Sequence, residues 1–230
     1  MNCRFFGFLF FIFLPACGLN NFASLSMPNE DFQLPSLQSI SLDANALDVI
    51  YDGGGAVTFA GSDLQFEPAV AQSSSQTHST LILLKDTETT GVNDFILSVD
   101  VTVTAQLRTG STPNPWETFW FFFNYTGAIT DKSTNYYISK PSPTGSELGI
   151  ATQATTQVFL DSNDLFPTAI GDRHLFLFIR QGSVFKVIRD GLQIYSYEDA
   201  GRLLTTKGAL GLYVEDASVE IHSLQYKNMD

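Results

Sequence analysis

Phe95-Ile96-Leu97-Ser98-Val99-Asp100-Val101-Thr102-Val103-Thr104-Ala105-Gln106-Leu107-Arg108 is the stretch that decides the fold class. In an extended chain Phe95, Leu97, Val99, Val101, Val103, Ala105 and Leu107 share one face, while Ser98, Asp100, Thr102, Thr104, Gln106 and Arg108 share the other. One dry face and one wet face describe a strand of an antiparallel sheet packed on a single side. Upstream, Leu81 to Leu84 reads as a short apolar strand and Asp86 to Asn93 as a turn, so these two strands are expected to be antiparallel neighbours. Downstream, Val184–Arg189 and Leu192–Tyr197 flank Asp190-Gly191, a pair that accepts the positive φ angles of a two-residue type I′ turn. Pairing Arg189 with Leu192 puts Phe185, Val187 and Ile194 on the buried face, and Val184, Lys186, Ile188, Gln193, Tyr195 and Tyr197 on the other. Leu210–Val214 and Val219–Tyr226 flank the acidic turn Glu215-Asp216. No segment beyond the leader has helical periodicity and no repeat recurs at a fixed period, so the reading is all-β, a two-sheet antiparallel sandwich.

A chain of 230 residues with 44% hydrophobic and 16% charged residues has the material for one folded domain and is not disordered. The net charge of −12, with no basic cluster, excludes nucleic acid as a partner. Residues 1–16 read as a signal peptide: Arg4 precedes the apolar run Phe5–Leu14, which is about half the length of a membrane-spanning helix. Six of the 20 Phe residues belong to this leader, so part of the aromatic content is a targeting signal. Leu14-Pro15-Ala16-Cys17 resembles a bacterial lipobox, which makes Cys17 the expected lipidation site. Residues 17–43 are then a tether and lead-in segment, and 44–230 the sandwich. Gly18 lacks an acidic retention signal, so the expected address is the outer membrane of the cell envelope, the alternative being simple secretion. Both cysteines, Cys3 and Cys17, lie in the leader region, so the body has neither disulfide nor thiol chemistry.

Trp116 to Tyr125 reads as a strand with Trp116, Thr118, Trp120, Phe122 and Asn124 on one face and Glu117, Phe119, Phe121, Phe123 and Tyr125 on the other. Both tryptophans would then sit about 13 Å apart on one side, a spacing suited either to stacking on sugar rings or to filling a core. Tyr136, Lys140 and Glu147 form a second aromatic and polar group, with Lys140 facing Glu147 across a turn that contains Pro141 and Pro143. Glu117 and Glu147 are the candidate carboxylates of a glycosidase pair. Glu215-Asp216, Asp199 and Asp52 offer oxygens to a structural calcium, the one candidate cofactor. His78, His174 and His222 have no metal-ligand spacing with one another.

Asp94-Phe95-Ile96-Leu97-Ser98-Val99, Trp116-Glu117 through Asn124-Tyr125, Asn135-Tyr136-Tyr137, Val187-Ile188-Arg189-Asp190-Gly191 through Tyr197-Glu198-Asp199, and Gly208-Ala209-Leu210-Gly211-Leu212-Tyr213 follow one another in an order that resembles the concanavalin A-like lectin/glucanase superfamily. The nearest branch is that of 3-keto-disaccharide hydrolase and family 16-like domains. The resemblance runs from about Val57 to Tyr226. It implies a jelly-roll sandwich with any ligand on the concave sheet. The glucanase pattern E-[ILV]-D-x-x-E is absent and Val219-Glu220-Ile221-His222 does not supply it, so no catalytic residue carries over.

These readings lead to an extracytoplasmic carbohydrate-binding or surface-interaction domain without catalysis. Its expected ligand is a polysaccharide or glycan, its candidate binding residues are Trp116, Trp120, Asn124, Tyr136, Lys140 and Glu147, and its membrane contact is through the lipid alone. The alternatives are a glycoside hydrolase or polysaccharide lyase working from the concave sheet, and a structural envelope protein. Fold alone does not choose among them.

Overall fold

The computed structural model describes residues 36–127, 135–142, 145–152, 156–164, 166–200 and 207–230, with 135–142 placed by backbone and register. The leader, Cys17 and most of the tether lie outside the described residues. In chain order the strands are β1 (Gln38–Ser39), β2 (Leu47–Tyr51), β3 (Ala56–Ala60), β4 (Asp63–Glu67), β5 (Ser79–Leu84), β6 (Phe95–Gln106), β7 (Phe119–Tyr125), β8 (Asn135–Ser142), β9 (Gly145–Thr152), β10 (Thr156–Asn163), β11 (Arg173–Gln181), β12 (Val184–Arg189), β13 (Leu192–Glu198), β14 (Ala209–Glu215) and β15 (Ala217–Asn228). One short helix, α1 (Lys85–Thr90), stands between β5 and β6, where sequence periodicity had suggested only a turn. The first strand falls within the segment expected to be a tether, and it pairs with the last strand of the chain.

Two antiparallel sheets result. The first runs β13-β12-β11-β6-β15-β4-β3, with β1 also on β15; the second runs β10-β9-β8-β7-β14-β5-β2. The expected pairing of Leu81–Leu84 with Phe95 onward does not occur, because β5 lies in the second sheet and β6 in the first. The chain crosses between sheets there, and an apolar run of that length carries no information on which sheet it joins.

Alternation along β6 holds: Phe95, Leu97, Val99, Val101 and Val103 enter the core between the sheets. From β7, Phe119, Phe121 and Phe123 meet them from the opposite side. Phe121 stacks on Phe178 at 4.5 Å and Phe123 on Phe185 at 4.7 Å between ring centroids. Such pairs contribute about 0.5–1.5 kcal/mol each beyond the area they bury, so this aromatic layer holds the two sheets in register.

The Asp190-Gly191 hairpin forms as read: φ is 52° at Asp190 and 82° at Gly191, and Arg189 faces Leu192. Phe185, Val187 and Ile194 are buried in the core. Tyr195 and Tyr197 differ from expectation, because an irregularity between Val187 and Ile188 sets Tyr195 opposite Val187 and Tyr197 opposite Phe185, and both pack on the core side. One extra residue in a strand reverses every later side chain.

Candidate functional site

The same effect reorganises the Trp116–Tyr125 segment. The strand begins at Phe119, and Trp116 occupies a turn closed by Glu117 N–H donating to Asn114 O at 3.2 Å, with Pro115 ahead of it. The two tryptophans therefore do not share a strand face. Trp116 is 40% exposed, whereas Trp120 is only 7% exposed and its indole Nε1–H donates to the Trp116 carbonyl at 2.7 Å. At the far end Asn124 has φ 56°, and the register of β7 against β14 slips between Ala209 and Gly211. This bulge turns Asn124 inward, where it donates to Asn93 Oδ1 and accepts from Arg180 Nη1, each at 3.3 Å. Tyr125 takes its place beside Trp120 and Phe122. Asn124 is thus a buried structural residue and leaves the candidate binding set.

Trp120 and Phe122 point away from the core, into a separate cluster made only of second-sheet residues: Leu81, Leu83, Tyr125, Ala151, Ala209 and Tyr213. Tyr213 lies 5.0 Å from Trp120 and 4.9 Å from Phe122, stacked on the latter. Its hydroxyl donates to Glu215 Oε2 at 2.8 Å; burial, and then the charge of Glu215, push the phenol well above its ordinary pKa, so it stays a hydrogen-bond donor. Register carries this face across the sheet. Phe122 is opposite Ile138, Ile138 is opposite Gly149, and Gly149 is opposite Phe159. One row along, Lys140 is opposite Glu147, the cross-strand arrangement expected from the sequence, and Tyr136 is opposite Ala151. Trp120, Tyr136, Lys140 and Glu147 therefore occupy one outer face, which alternation predicted for each strand but not for their assembly. Phe159 is 49% exposed, and its ring lies against Gly149. Sequence reasoning missed Tyr213 and Phe159, and took Glu215 only as an oxygen donor of the acidic turn. For Tyr213 and Glu215 the signal was present in Leu210, Leu212 and Val214 alternating with Gly211, Tyr213 and Glu215.

Glu117, two residues ahead of β7, is buried. Its carboxylate accepts from Arg108 Nε at 2.5 Å, Asn114 Nδ2 at 2.7 Å and Gln106 Nε2 at 2.6 Å. Arg108 also reaches Asp216 Oδ2 at 2.6 Å and the Ser73 carbonyl at 2.7 Å. Its side chain is 1% exposed, and those of Glu117 and Asp216 are 0% exposed. Hydrogen bonding to Glu117 first, and then the two carboxylate charges, outweigh burial and hold the Arg108 guanidinium charged. The expected wet end of the Phe95–Arg108 strand and Asp216 of the acidic turn are instead one buried network. Asp216 already has a guanidinium as its cation, and its other oxygen accepts the His78 N–H at 2.8 Å, so this turn is not an open calcium site.

No family model matches the sequence, and no curated protein matches it. Solved structures do. A carbohydrate-binding module, CBM66 from Bacillus subtilis, superposes with a TM-score of 0.58 at 13% identity, covering 80% of this chain and 96% of its own. The exoplasmic/lumenal domain of VIP36 in its Ca2+/Man-bound form gives 0.57 at 9% identity, over 84% and 92% of the two chains. The fold is a concanavalin A-like jelly roll. A prokaryotic β-1,3-1,4-glucanase (lichenase) derived from a mouse hindgut metagenome shares this jelly roll with a TM-score of 0.56 at 14% identity, over 85% of this chain and 100% of its own. At these identities the likeness concerns the jelly roll's architecture, which is common to carbohydrate-binding modules, lectins and glucanases.

Proposed function

We propose that this protein is an extracytoplasmic, non-catalytic carbohydrate-binding jelly roll, tethered to the envelope by a lipid on Cys17, with its glycan lying across the outer face of the second sheet. The observation that carries the reading is the row Tyr213, Trp120, Lys140 and Glu147, one residue from each of four adjacent strands, with the exposed Phe159 on the next strand and the exposed Trp116 held at its carbonyl by the Trp120 indole. From Trp120 on β7 to Phe159 on β10 is three strand spacings, about 14 Å, so the face is an extended surface and not a point. Trp120 and Tyr213 form its floor; stacking on sugar faces falls to Trp116 and Phe159, and hydroxyl hydrogen bonding to Lys140 and Glu147.

The absence of catalysis is supported by what the carboxylates already do. Glu117 is buried and accepts three hydrogen bonds. Glu215 accepts the Tyr213 hydroxyl at 2.8 Å.

The test is a polysaccharide panel run against the full chain, read for retention and, in parallel, for new reducing ends and unsaturated sugars. Retention without products is expected. Trp116→Ala should weaken retention and leave the melting temperature unchanged, while Trp120→Ala should lower stability by about 3–5 kcal/mol, as loss of a buried aromatic does. Release of sugar products would replace this reading with a hydrolase or lyase, and an unaltered retention in Trp116→Ala would move the site elsewhere. Palmitate labelling that persists in Cys17→Ser would remove the lipid tether.

A further inference from the structure

On the opposite side of the sandwich, the outer face of the first sheet brings together three metal-ligating side chains that are far apart in sequence. Glu220 and His222 are two residues apart on β15, and β15 pairs with β4 so that Glu220 faces Gln65 and Ile221 faces Leu64. Continuing that register sets His222 against Asp63. The pairing of β15 with β6 slips between Ile221 and Ser223, so His222 is the extra residue of a bulge, a device that re-aims a side chain. One ligand atom from each of Asp63, Glu220 and His222 lies within 4.8 Å of the other two.

We propose that Asp63, Glu220 and His222 bind a divalent transition ion of the zinc class. His222 Nδ1 is 3.4 Å from Asp63 Oδ1, longer than an ordinary N–H···O hydrogen bond. It equals the edge of a tetrahedron whose centre is about 2.1 Å from each corner, the Zn–N and Zn–O distance. The other ring nitrogen, Nε2, is 3.0 Å from the Thr102 hydroxyl. With Nε2–H donating to Thr102, the Nδ1 lone pair is directed at the carboxylate of Asp63, an arrangement that a cation between them stabilises. Thr102 thus does for His222 what outer partners do for metal-bound histidines, fixing both tautomer and ring plane. Gln65 Nε2 holds Glu220 Oε1 in the same way at 3.3 Å. The nearby guanidinium of Arg173 is engaged by Asp100 through two hydrogen bonds of 2.8 and 2.7 Å.

Three protein ligands leave a fourth position, and His222 also lines a groove of about 340 Å³ with Gly61, Ser62 and Asp43, from which a water or a ligand oxygen can complete the set. The donor set selects the metal: calcium takes six to eight oxygens, whereas an imidazole with two carboxylates suits zinc and its neighbours. This site is independent of the glycan-binding face.

The experiment is calorimetric titration of untagged, chelator-treated full-length protein with Zn2+ and, separately, with Ca2+. One Zn2+ per chain is expected, with Ca2+ binding at least 100-fold more weakly, as the single imidazole donor requires. Stoichiometric binding should be lost in His222→Ala and weakened about 10- to 100-fold in Thr102→Val. Asp63→Asn, at the start of a surface strand, gives a second reading without altering β15, and an unchanged far-UV spectrum in each variant separates lost binding from lost fold. Zinc binding that is indifferent to both His222→Ala and Asp63→Asn, calcium binding as tight as zinc, or no stoichiometric zinc binding would each overturn the proposal.

Discussion

Arg108→Met is the substitution whose consequence the structure defines most closely. It removes a guanidinium that is 1% exposed and leaves two carboxylates, Glu117 and Asp216, at 0% exposure with hydrogen-bond donors but no countercharge. Breaking a buried ion pair on one side costs about 3–5 kcal/mol, because the surviving charge remains desolvated. For a domain of this size each kcal/mol corresponds to about 2–4 °C in melting temperature, so the expected fall is roughly 6–20 °C. The cost has a pH signature. Burial already raises the Asp216 carboxyl above its ordinary value of 3.8, against the His78 N–H and the Arg108 charge that pull it down. Without Arg108 the shift grows. A carboxyl whose folded pKa is raised makes the native state bind more protons than the unfolded one, so stability increases as pH falls through the folded pKa, and Arg108→Met should recover part of its loss on acidification. The triple variant Arg108→Met, Glu117→Gln, Asp216→Asn should recover more at pH 7, since no uncompensated charge remains. Thermal unfolding followed by circular dichroism from pH 4 to 8 reads all three quantities. A melting temperature for Arg108→Met within about 2 °C of the parent, less than 1 kcal/mol, would refute the reasoning.

Two further outcomes follow from the β12–β13 hairpin. Gly191 has φ 82° with no atom within 4 Å of where a Cβ would sit, so Gly191→Val meets backbone strain without a clash; a loss of about 1–2 kcal/mol is expected in chemical denaturation, and little for Gly191→Asn. Asp190 anchors the same turn by accepting the Leu175 N–H at 2.9 Å and contacting His174 Nδ1 at 2.7 Å. Burial raises its carboxyl, but these bonds and the charges of His174 and Arg189 together lower it below 3.8. Its contribution is therefore present above 3.8 and lost as pH falls through the lower folded value, and Asp190→Asn should flatten the acid limb of the stability curve. An identical acid limb in parent and variant would show that the turn's carboxylate is not linked to folding.

The amino-acid sequence by itself determined the class of fold, the Asp190-Gly191 hairpin, the core face of Phe95–Val103 and the facing of Lys140 with Glu147. Each rests on chemistry within a few residues: the two-residue period of an extended chain, or a backbone angle that only certain residues accept. What lay beyond its reach was set by partners distant along the chain. Leu81–Leu84 belongs to the sheet opposite Phe95–Gln106, and an apolar strand has no local mark for that choice. Bulges at Asn124 and near Val187 reversed the faces of Asn124, Tyr125, Tyr195 and Tyr197, because one inserted residue shifts a period of two by half a cycle. Arg108 read as a wet strand end until Glu117 and Asp216 arrived from elsewhere in the chain to neutralise it. Asp63 joined Glu220 and His222 only across a strand pair. Charges acquire their meaning from neighbours in space, and the neighbours of a sandwich strand are supplied by topology, so the site chemistry had to await the tertiary structure.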